Sequence, residues 1–249
     1  MKQNRTISKI LVPIAGAVIL TTASNAAVLA QYNFTGTVDT TSVTQPNSTG
    51  SDLGIGVLGD EFSASAGDQG ISSTTPSNTS PASAAGPHRF VRSNSTTTTA
   101  ADAFTANDYF KFTLTPNATF LVNLTDLFFD YAGTGTSGTP AVANIASFFV
   151  RSSAANNFTT DVGTTVSSGQ LTGTNFQRQT ISLTGANFQN LTGLIEFRIY
   201  VFNSINAGTS VARLDNITLN GDIAPIPEPG SLALVGSLGV LALLRRRRA

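Results

Sequence analysis

Residues 108–114, with the sequence DYFKFTL, alternate polar and apolar side chains with a period of two. On one face of such a strand lie two phenylalanines and a leucine, and on the other lie Tyr109 and Lys111. Residues 194–202, LIEFRIYVF, repeat the pattern, with aliphatic and aromatic side chains on one face and charged side chains on the other. Both stretches therefore predict β-strands that pack against a core on one side only.

Further stretches of the same character surround these two. They are 27–35, 53–58, 89–92, 119–131, 145–151, 178–183 and 211–220. Turns rich in Gly, Asn, Ser and Thr separate them, and no stretch of the body shows a helical repeat. About nine short strands of this kind predict an all-β domain at 27–224, built as an antiparallel two-sheet β-sandwich of the jelly-roll-like type.

Two segments of the body break the strand pattern. Residues 63–87 are crowded with Ser, Thr and Pro and predict a long loop within the domain. In residues 213–219, RLDNITL, the alternation fails at Asp215-Asn216, and a β-bulge there would turn the leucines and the isoleucine inward together. Asp215 is also a candidate calcium ligand, but a hard cation seeks several oxygens, and the bulge is favoured. No metal and no cofactor is predicted.

The charge of the chain is unevenly distributed. The 249 residues have a net charge of zero, but seven of the fourteen basic residues lie near the two ends. Residues 27–224 hold seven basic and thirteen acidic residues, a net charge of 7 − 13 = −6. An acidic body of this kind disfavours nucleic acid as a partner. Cysteine is absent, so disulfide and thiol chemistry are excluded.

The N-terminal segment has the three-part plan of a secretory signal peptide. Residues 1–9 carry three cations, 10–20 are apolar, and 21–30 are small and weakly polar. Small side chains at Ser24 and Ala26 predict cleavage after Ala26, which makes 1–26 the signal peptide. Cleavage after Ala30 is an alternative, but it would cut into the first predicted strand. An uncleaved anchor is disfavoured, because the apolar run is much shorter than the ~20 residues that span a membrane.

The C-terminal segment also predicts a destination. Residues 231–244 carry no charge and would form a helix about 21 Å long, a marginal membrane span. A basic cluster follows, which favours a cytoplasmic end for this segment: Arg245, Arg246, Arg247 and Arg248. Before the apolar run, Pro227, Glu228 and Pro229 stand in a proline-rich stretch that cannot join a helix or a central strand. The order of motif, short span and basic stop is that of sorting signals whose tail is removed.

Residues 225–249 resemble the PEP-CTERM sorting signal of bacteria that make exopolysaccharide, and the Pro227-Glu228-Pro229 motif makes this similarity specific. The resemblance implies export through the Sec pathway, transient insertion in the inner membrane, cleavage by exosortase, and transfer to the cell surface or the medium. Signal peptidase and exosortase are then the processing partners, and exopolysaccharide is a further partner. A plain tail anchor with a proline-rich spacer is the alternative.

The body has a second resemblance. The stretches SFFVRSSAANNF, GLIEFRIYVF and RLDNITLNG are similar to recurrent strands in the bodies of proteins that bear this tail. Those bodies are taken to be jelly-roll sandwiches like carbohydrate-binding modules, so the similarity implies the same fold here.

The sequence contains no recognisable catalytic site. His88 is the only histidine, and neither a Gly-x-Ser-x-Gly motif nor a cysteine accompanies it. Asp126 and Asp130 would share a strand face about 13 Å apart, too far for the paired carboxyls of a glycosidase. We therefore expect the protein not to be an enzyme.

Three functions are compatible with these features. The favoured one is an exported, non-enzymatic protein of the cell surface or extracellular matrix. The alternative is a glycan-binding module in which tyrosines stack on sugar rings, the candidates being Tyr109, Tyr131 and Tyr200. Strand alternation places Tyr109 and Tyr200 on the face opposite the core. A secreted hydrolase is a remote third possibility.

Processing at both ends is directly testable by intact-mass measurement of the protein purified from its native host. We expect the mass to lack the residues before Ala27 and the tail that follows the Pro-Glu-Pro motif. A mass that retains the arginine cluster would instead indicate permanent anchoring.

Overall fold

The computed structural model describes residues 26–32, 43–55, 69–71, 89–93, 97–134, 145–168, 176–204 and 210–226. Within these ranges the chain forms one α-helix, α1 (Ala100–Ala106), and a single 3-10 turn at Ala186–Phe188. The remaining regular structure is β-strand. The strands are β1 (Ala27–Tyr32), β2 (Val43–Thr44), β3 (Ser48–Gly50), β4 (Gly54–Ile55), β5 (Gln69–Ile71), β6 (Arg89–Ser93), β7 (Tyr109–Pro116), β8 (Phe120–Thr134), β9 (Ala146–Ser152), β10 (Val166–Ser167), β11 (Gln177–Ser182), β12 (Ile195–Asn203) and β13 (Ser210–Pro225).

The strands form two antiparallel sheets. The first sheet has the order β11-β8-β13-β1-β2, with β6 added beside β13 and β5 beside β6. The second has the order β10-β9-β12-β7-β3, with β4 also paired to β7. A single apolar core lies between them, with members from both sheets. The predicted antiparallel two-sheet β-sandwich is confirmed.

The core forms where alternate side chains of the two sheets face each other. Phe112 of β7 and Phe197 of β12 are directly paired, and their rings stack with centroids 5.4 Å apart. From the first sheet, Tyr32 packs on Phe112 at the same centroid distance, and its hydroxyl donates to the carbonyl oxygen of Ser51 over 2.6 Å. Burying each such ring contributes roughly 2–3 kcal/mol to folding. The register of the pairing between β7 and β12 is therefore set by the side chains that point into the core.

The predicted β-bulge in the last strand is confirmed. The pairing of β13 with β8 is interrupted between Asp215 and Thr218, and Asn216 there has φ of 48°. The Asn216 amide donates to Asp130 Oδ2 over 3.0 Å, and Arg178 Nε donates to Asp130 Oδ1 over 2.7 Å. The aliphatic side chains on both sides of the bulge are buried. The extra residue thus resets the facing of the strand, as the broken alternation predicts.

Nine strands were predicted, and each is present in the described part of the chain. Further elements were missed, namely the short strands β2, β3, β5 and β10, helix α1 and the 3-10 turn. Helix α1 spans only seven residues, about two turns, which is too short to produce a visible helical period. Strand β5 lies inside the predicted loop at 63–87, where it pairs with β6. Such short edge strands have no apolar alternation of their own.

The last strand runs further than predicted, since β13 extends from Ser210 to Pro225. Strand β13 includes Pro225, which is paired with Phe120, and the Ile226 N–H donates to the Thr119 oxygen over 2.8 Å. A proline is tolerated there because β1 begins at Ala27, opposite Gly221. Past that point β13 pairs with β8 alone among the described strands, so the missing N–H of proline breaks no second ladder.

The predicted processing segments fall outside the described residues. These segments are 1–25 of the signal peptide, the motif Pro227-Glu228-Pro229, the apolar run 231–244 and the arginines 245–248. In the described ranges, no helix has both the length and the apolar character needed to cross a membrane.

Gly221 lies where the pairing of β13 with β8 shifts by one extra residue of β8, and it offers a sharp test of the packing. A Cβ added there would overlap the backbone oxygen of Asn123 and lie 2.9 Å from Leu29 Cδ1, whereas a Cβ at Gly193 meets nothing within 4 Å. We expect Gly221→Ala to lower the free energy of unfolding by about 2–3 kcal/mol. Chemical denaturation measures this, with Gly193→Ala as the control. Equal stability of the two variants would contradict the described packing.

Candidate binding site on the outer face of the second sheet

Three aromatic rings lie side by side on the solvent side of the second sheet. Tyr200 on β12 is paired with Tyr109 on β7 and with Phe149 on β9. The Tyr200 and Phe149 rings stack at 4.7 Å, and Tyr109 meets Tyr200 edge-on at 5.0 Å. All three are buried, although they point away from the main core. We call these residues the aromatic row.

Helix α1 covers the aromatic row. Its first turn is capped by Thr99, whose Oγ1 accepts from the Asp102 N–H over 3.1 Å, and Asn107 ends it in the left-handed conformation. Ala103 is buried against the row. Phe104, one residue further, lies 5.7 Å from the Tyr200 ring and remains 38% exposed. The helix therefore shields the row and presents a ring of its own to solvent.

A row of three cations, which we call the cation row, lies directly beside the aromatic row. Arg198 on β12 is paired with Lys111 on β7 and with Arg151 on β9. Like charges in direct cross-strand pairs destabilise a sheet. Two anions offset part of this cost: Glu196 Oε1 lies 2.6 Å from Arg198 Nε, and Asp161 Oδ1 lies 2.8 Å from Arg151 Nε. Three positive and two negative charges leave this row with an excess of one positive charge.

Each of the two arginines packs against the face of an aromatic ring. The Arg151 guanidinium carbon lies 4.1 Å from the centroid of Phe104. The Arg198 guanidinium carbon lies 3.8 Å from the centroid of Phe158 and 4.8 Å from that of Tyr109. Cation–π contacts of this kind contribute ~0.5–2 kcal/mol each, more when they are desolvated. We call Phe104, Phe158 and the two arginines the aromatic–arginine face.

The backbone at Phe158 is strained, and several contacts hold it. Phe158 has φ of 66°, directly after Asn156 and Asn157, which both have φ of 50°. A bulky residue in this region costs roughly 1–2 kcal/mol. The Phe158 N–H donates to the Ser152 oxygen over 3.0 Å, and Arg151 Nη1 donates to the Phe158 oxygen over 2.9 Å. Strain maintained in this way is typical of functional positions.

The electrostatics of the face keep Arg198 charged and the buried Tyr200 neutral. Burial raises the pKa of Tyr200, and the nearby Arg198 lowers it in part. Burial lowers the pKa of Arg198, but Glu196 and Tyr200 more than compensate, so that this pKa is raised overall. The Tyr200 hydroxyl is buried beside Arg198 but meets no partner with the geometry of a hydrogen bond. The face therefore carries fixed positive charge at neutral pH.

The three tyrosines that were predicted to contact a glycan are all buried. Tyr109 and Tyr200 do lie on the face opposite the core, as strand alternation indicates. Tyr131 points into the core, where its ring lies 5.3 Å from Phe148 and its hydroxyl donates to Gln177 Oε1 over 3.0 Å. None of the three rings is open to solvent. A sugar cannot stack on any of them in this conformation.

Sequence reasoning missed the two rings of the face, the exposed Phe104 and the half-buried Phe158. Thr99 followed by Asp102 was a signal for the helix that carries Phe104, since this spacing is typical of a capped first turn. The paired asparagines before Phe158 were a signal for a left-handed turn, because asparagine tolerates that conformation. Neither signal could show that the rings would rest on arginines from distant strands.

The remaining residues that the sequence singled out do not join the aromatic–arginine face in the described part of the chain. The side chain of Asp215, His88 and the sorting motif lie outside the described residues, and Ala26 lies just before β1. Asp126 accepts from the Asn220 amide over 2.8 Å, so it serves the strand pairing, as Asp130 does. In the part of the chain that is described, no three histidine, cysteine or acidic side chains could hold a metal ion.

Comparison with known proteins identifies no family. No family model matches the sequence, and no curated protein does. A cyclase from Fischerella sp. has a similar structure, with 13% identity, a TM-score of 0.37, and coverage of 74% of this chain and 87% of the cyclase. The CBM22-1 xylan-binding domain of Paenibacillus barcinonensis Xyn10C matches with 10% identity, a TM-score of 0.31, and coverage of 80% and 97%. The K1 cleaved adhesin domain of Lys-gingipain from Porphyromonas gingivalis matches with 12% identity, a TM-score of 0.35, and coverage of 80% and 99%.

These matches contradict the prediction that the protein is not an enzyme. Several of the similar structures are cyclases, which are enzymes. The prediction is therefore withdrawn. Similarity at these identities and TM-scores assigns neither a reaction nor a ligand to this chain.

The unpaired hydroxyl of Tyr200 gives a testable difference between two buried tyrosines. We expect Tyr200→Phe to leave the free energy of unfolding unchanged or slightly higher, because the substitution removes a buried group without a hydrogen bond. Tyr32→Phe is the matched control and should cost about 1 kcal/mol, since it removes the bond to Ser51. Urea denaturation of both variants at neutral pH measures the difference. A larger loss for Tyr200→Phe would show that its hydroxyl is partnered.

Proposed function

We propose that the protein is an exported component of the bacterial surface or extracellular matrix that binds a glycan through the aromatic–arginine face. The observation that supports glycan binding is the pair of rings, Phe104 and Phe158, each resting on an arginine at the solvent side of a β-sandwich sheet. Flat apolar rings bordered by charged hydrogen-bonding groups suit a sugar, which has apolar C–H faces and a rim of hydroxyls.

The arginines prepare the two rings for this role. A guanidinium beneath each ring limits its rotation, so less side-chain freedom is lost when a ligand binds. The ion pairs with Glu196 and Asp161 restrict the arginines in turn. The Arg151 bond to the Phe158 oxygen links the two halves of the face, because the same arginine contacts the Phe104 ring. The site is thus organised before any ligand arrives.

The sequence signals at both ends support the location. A signal peptide cleaved after Ala26 would leave β1 intact from its first residue, Ala27. Cleavage after Ala30 would remove Leu29 and Ala30, both fully buried, so Ala26 is the site that preserves the core. The Pro-Glu-Pro motif would follow β13 almost directly, and exosortase cleavage beyond it would leave the sandwich whole. Transient anchoring in the inner membrane, followed by transfer outward, is part of this proposal.

Glycan binding is tested with two ring variants and a control on the opposite sheet. We expect Phe104→Ala and Phe158→Ala each to weaken binding about tenfold, which corresponds to ~1.4 kcal/mol. Phe128 is the matched control, because it also lies under an arginine, Arg178, at 4.4 Å, but on the first sheet. Affinity electrophoresis against polysaccharide purified from the host measures the retardation of each variant.

The outcomes separate the possible sites. Thermal unfolding should show that each variant remains folded. Retained binding by both ring variants, or a loss seen only in Phe128→Ala, would contradict the proposed face. Absence of binding by the unaltered protein to any polysaccharide would contradict glycan binding itself.

A further inference from the structure

The cation row is unusual for a body of this charge. Residues 27–224 contain seven basic residues against thirteen acidic ones, yet three of the seven occupy one row across adjacent strands. Direct pairing of Arg198 with both Lys111 and Arg151 is electrostatically unfavourable in the unliganded sheet. Pure folding stability would favour a neutral or opposite charge at one of these positions. The row therefore indicates a negatively charged ligand.

Among the described residues, Lys111 is the cation of this row that has no acidic partner. Glu196 pairs with Arg198 and Asp161 with Arg151, whereas Lys111 has no ion pair within the described ranges. Its stem lies against Gly54 of β4, where a Cβ would come within 3.4 Å of both Cγ and Cε. A glycine opposite the lysine thus leaves room for the stem along the outer face of the sheet.

We propose that the aromatic–arginine face and Lys111 together bind an acidic polysaccharide, with a uronic acid carboxylate at the cation row. This inference rests on the proposed glycan binding and names the class of glycan. The sugar ring would lie on Phe158, and its carboxylate would point toward Lys111 and the Arg198 guanidinium beneath that ring. The bond to Glu196 uses one of the five N–H donors of Arg198, and the planar fork of a guanidinium matches a carboxylate.

A neutral glycan fits the same face less well. It would offer the face hydroxyls alone and leave the excess positive charge of the cation row without a counterion. A sulfated glycan shares the negative charge but lacks the planar geometry of a carboxylate. The charge and the shape of the anionic group can therefore be tested separately.

The test compares two pairs of polysaccharides, and the two members of each pair share a backbone. The full protein is titrated with polygalacturonate, with the same polymer after methyl esterification, and with dextran sulfate beside unmodified dextran. We expect polygalacturonate to bind at least tenfold more tightly than its methyl ester, and this preference to shrink when NaCl is raised, because exposed charges are screened. We also expect dextran sulfate to bind more weakly than polygalacturonate.

Lys111 variants connect the preference to the cation row. Lys111→Gln should reduce the affinity ratio of polygalacturonate to its ester at least threefold, and Lys111→Arg, which keeps the charge, should restore it. Equal binding of acid and ester would overturn the acidic ligand while leaving glycan binding intact. Stronger binding of dextran sulfate than of polygalacturonate would contradict the proposed preference for a carboxylate. If no polysaccharide binds, both this inference and the proposed function fall.

Discussion

The pairing of β7 with β12 is the constraint on which both faces of the second sheet depend. Its register places Phe112 against Phe197 on the inner side and Tyr109 against Tyr200 on the outer side. The inner pair joins the main core, which makes a shift of the pairing costly, since a slip by one residue would turn every inward ring to solvent. The outer aromatic row and the cation row are therefore held in place by the burial of residues that never touch the face.

The outer face shows how a β-sandwich can build a surface with two layers. Strand side chains provide the lower layer, an aromatic row beside a cation row. Elements outside the strands provide the upper layer, Phe104 from α1 and Phe158 from the turn after β9. The two arginines join the layers, since each contacts a ring above it and an acidic side chain beside it. Removing the charge of either arginine would leave a ring without its support.

Much of the fold was predictable because strands packed on one side have a short, local period. The nine strands, the two antiparallel sheets and the bulge at Asp215-Asn216 all follow from alternation and its interruption. The candidate site was less predictable. Alternation correctly placed Tyr109 and Tyr200 on the outer side, but it could not show that α1 would cover them. A helix of two turns leaves too few residues for a period, and its position depends on the packing of Ala103 against a row formed by three strands.

Local sequence patterns are enough to identify the sheet-forming segments and the acidic charge of the body, and they predict the processing signals at its ends, because each depends on residue types that can be read directly along the chain. In contrast, the folded arrangement is needed to see which aromatic rings lie toward solvent and which basic residues stand side by side. Lys111, Arg151 and Arg198 are separated by tens of residues in sequence, and they become neighbours because β12 lies between β7 and β9. Strand order is set by packing over the whole domain, which no local pattern records.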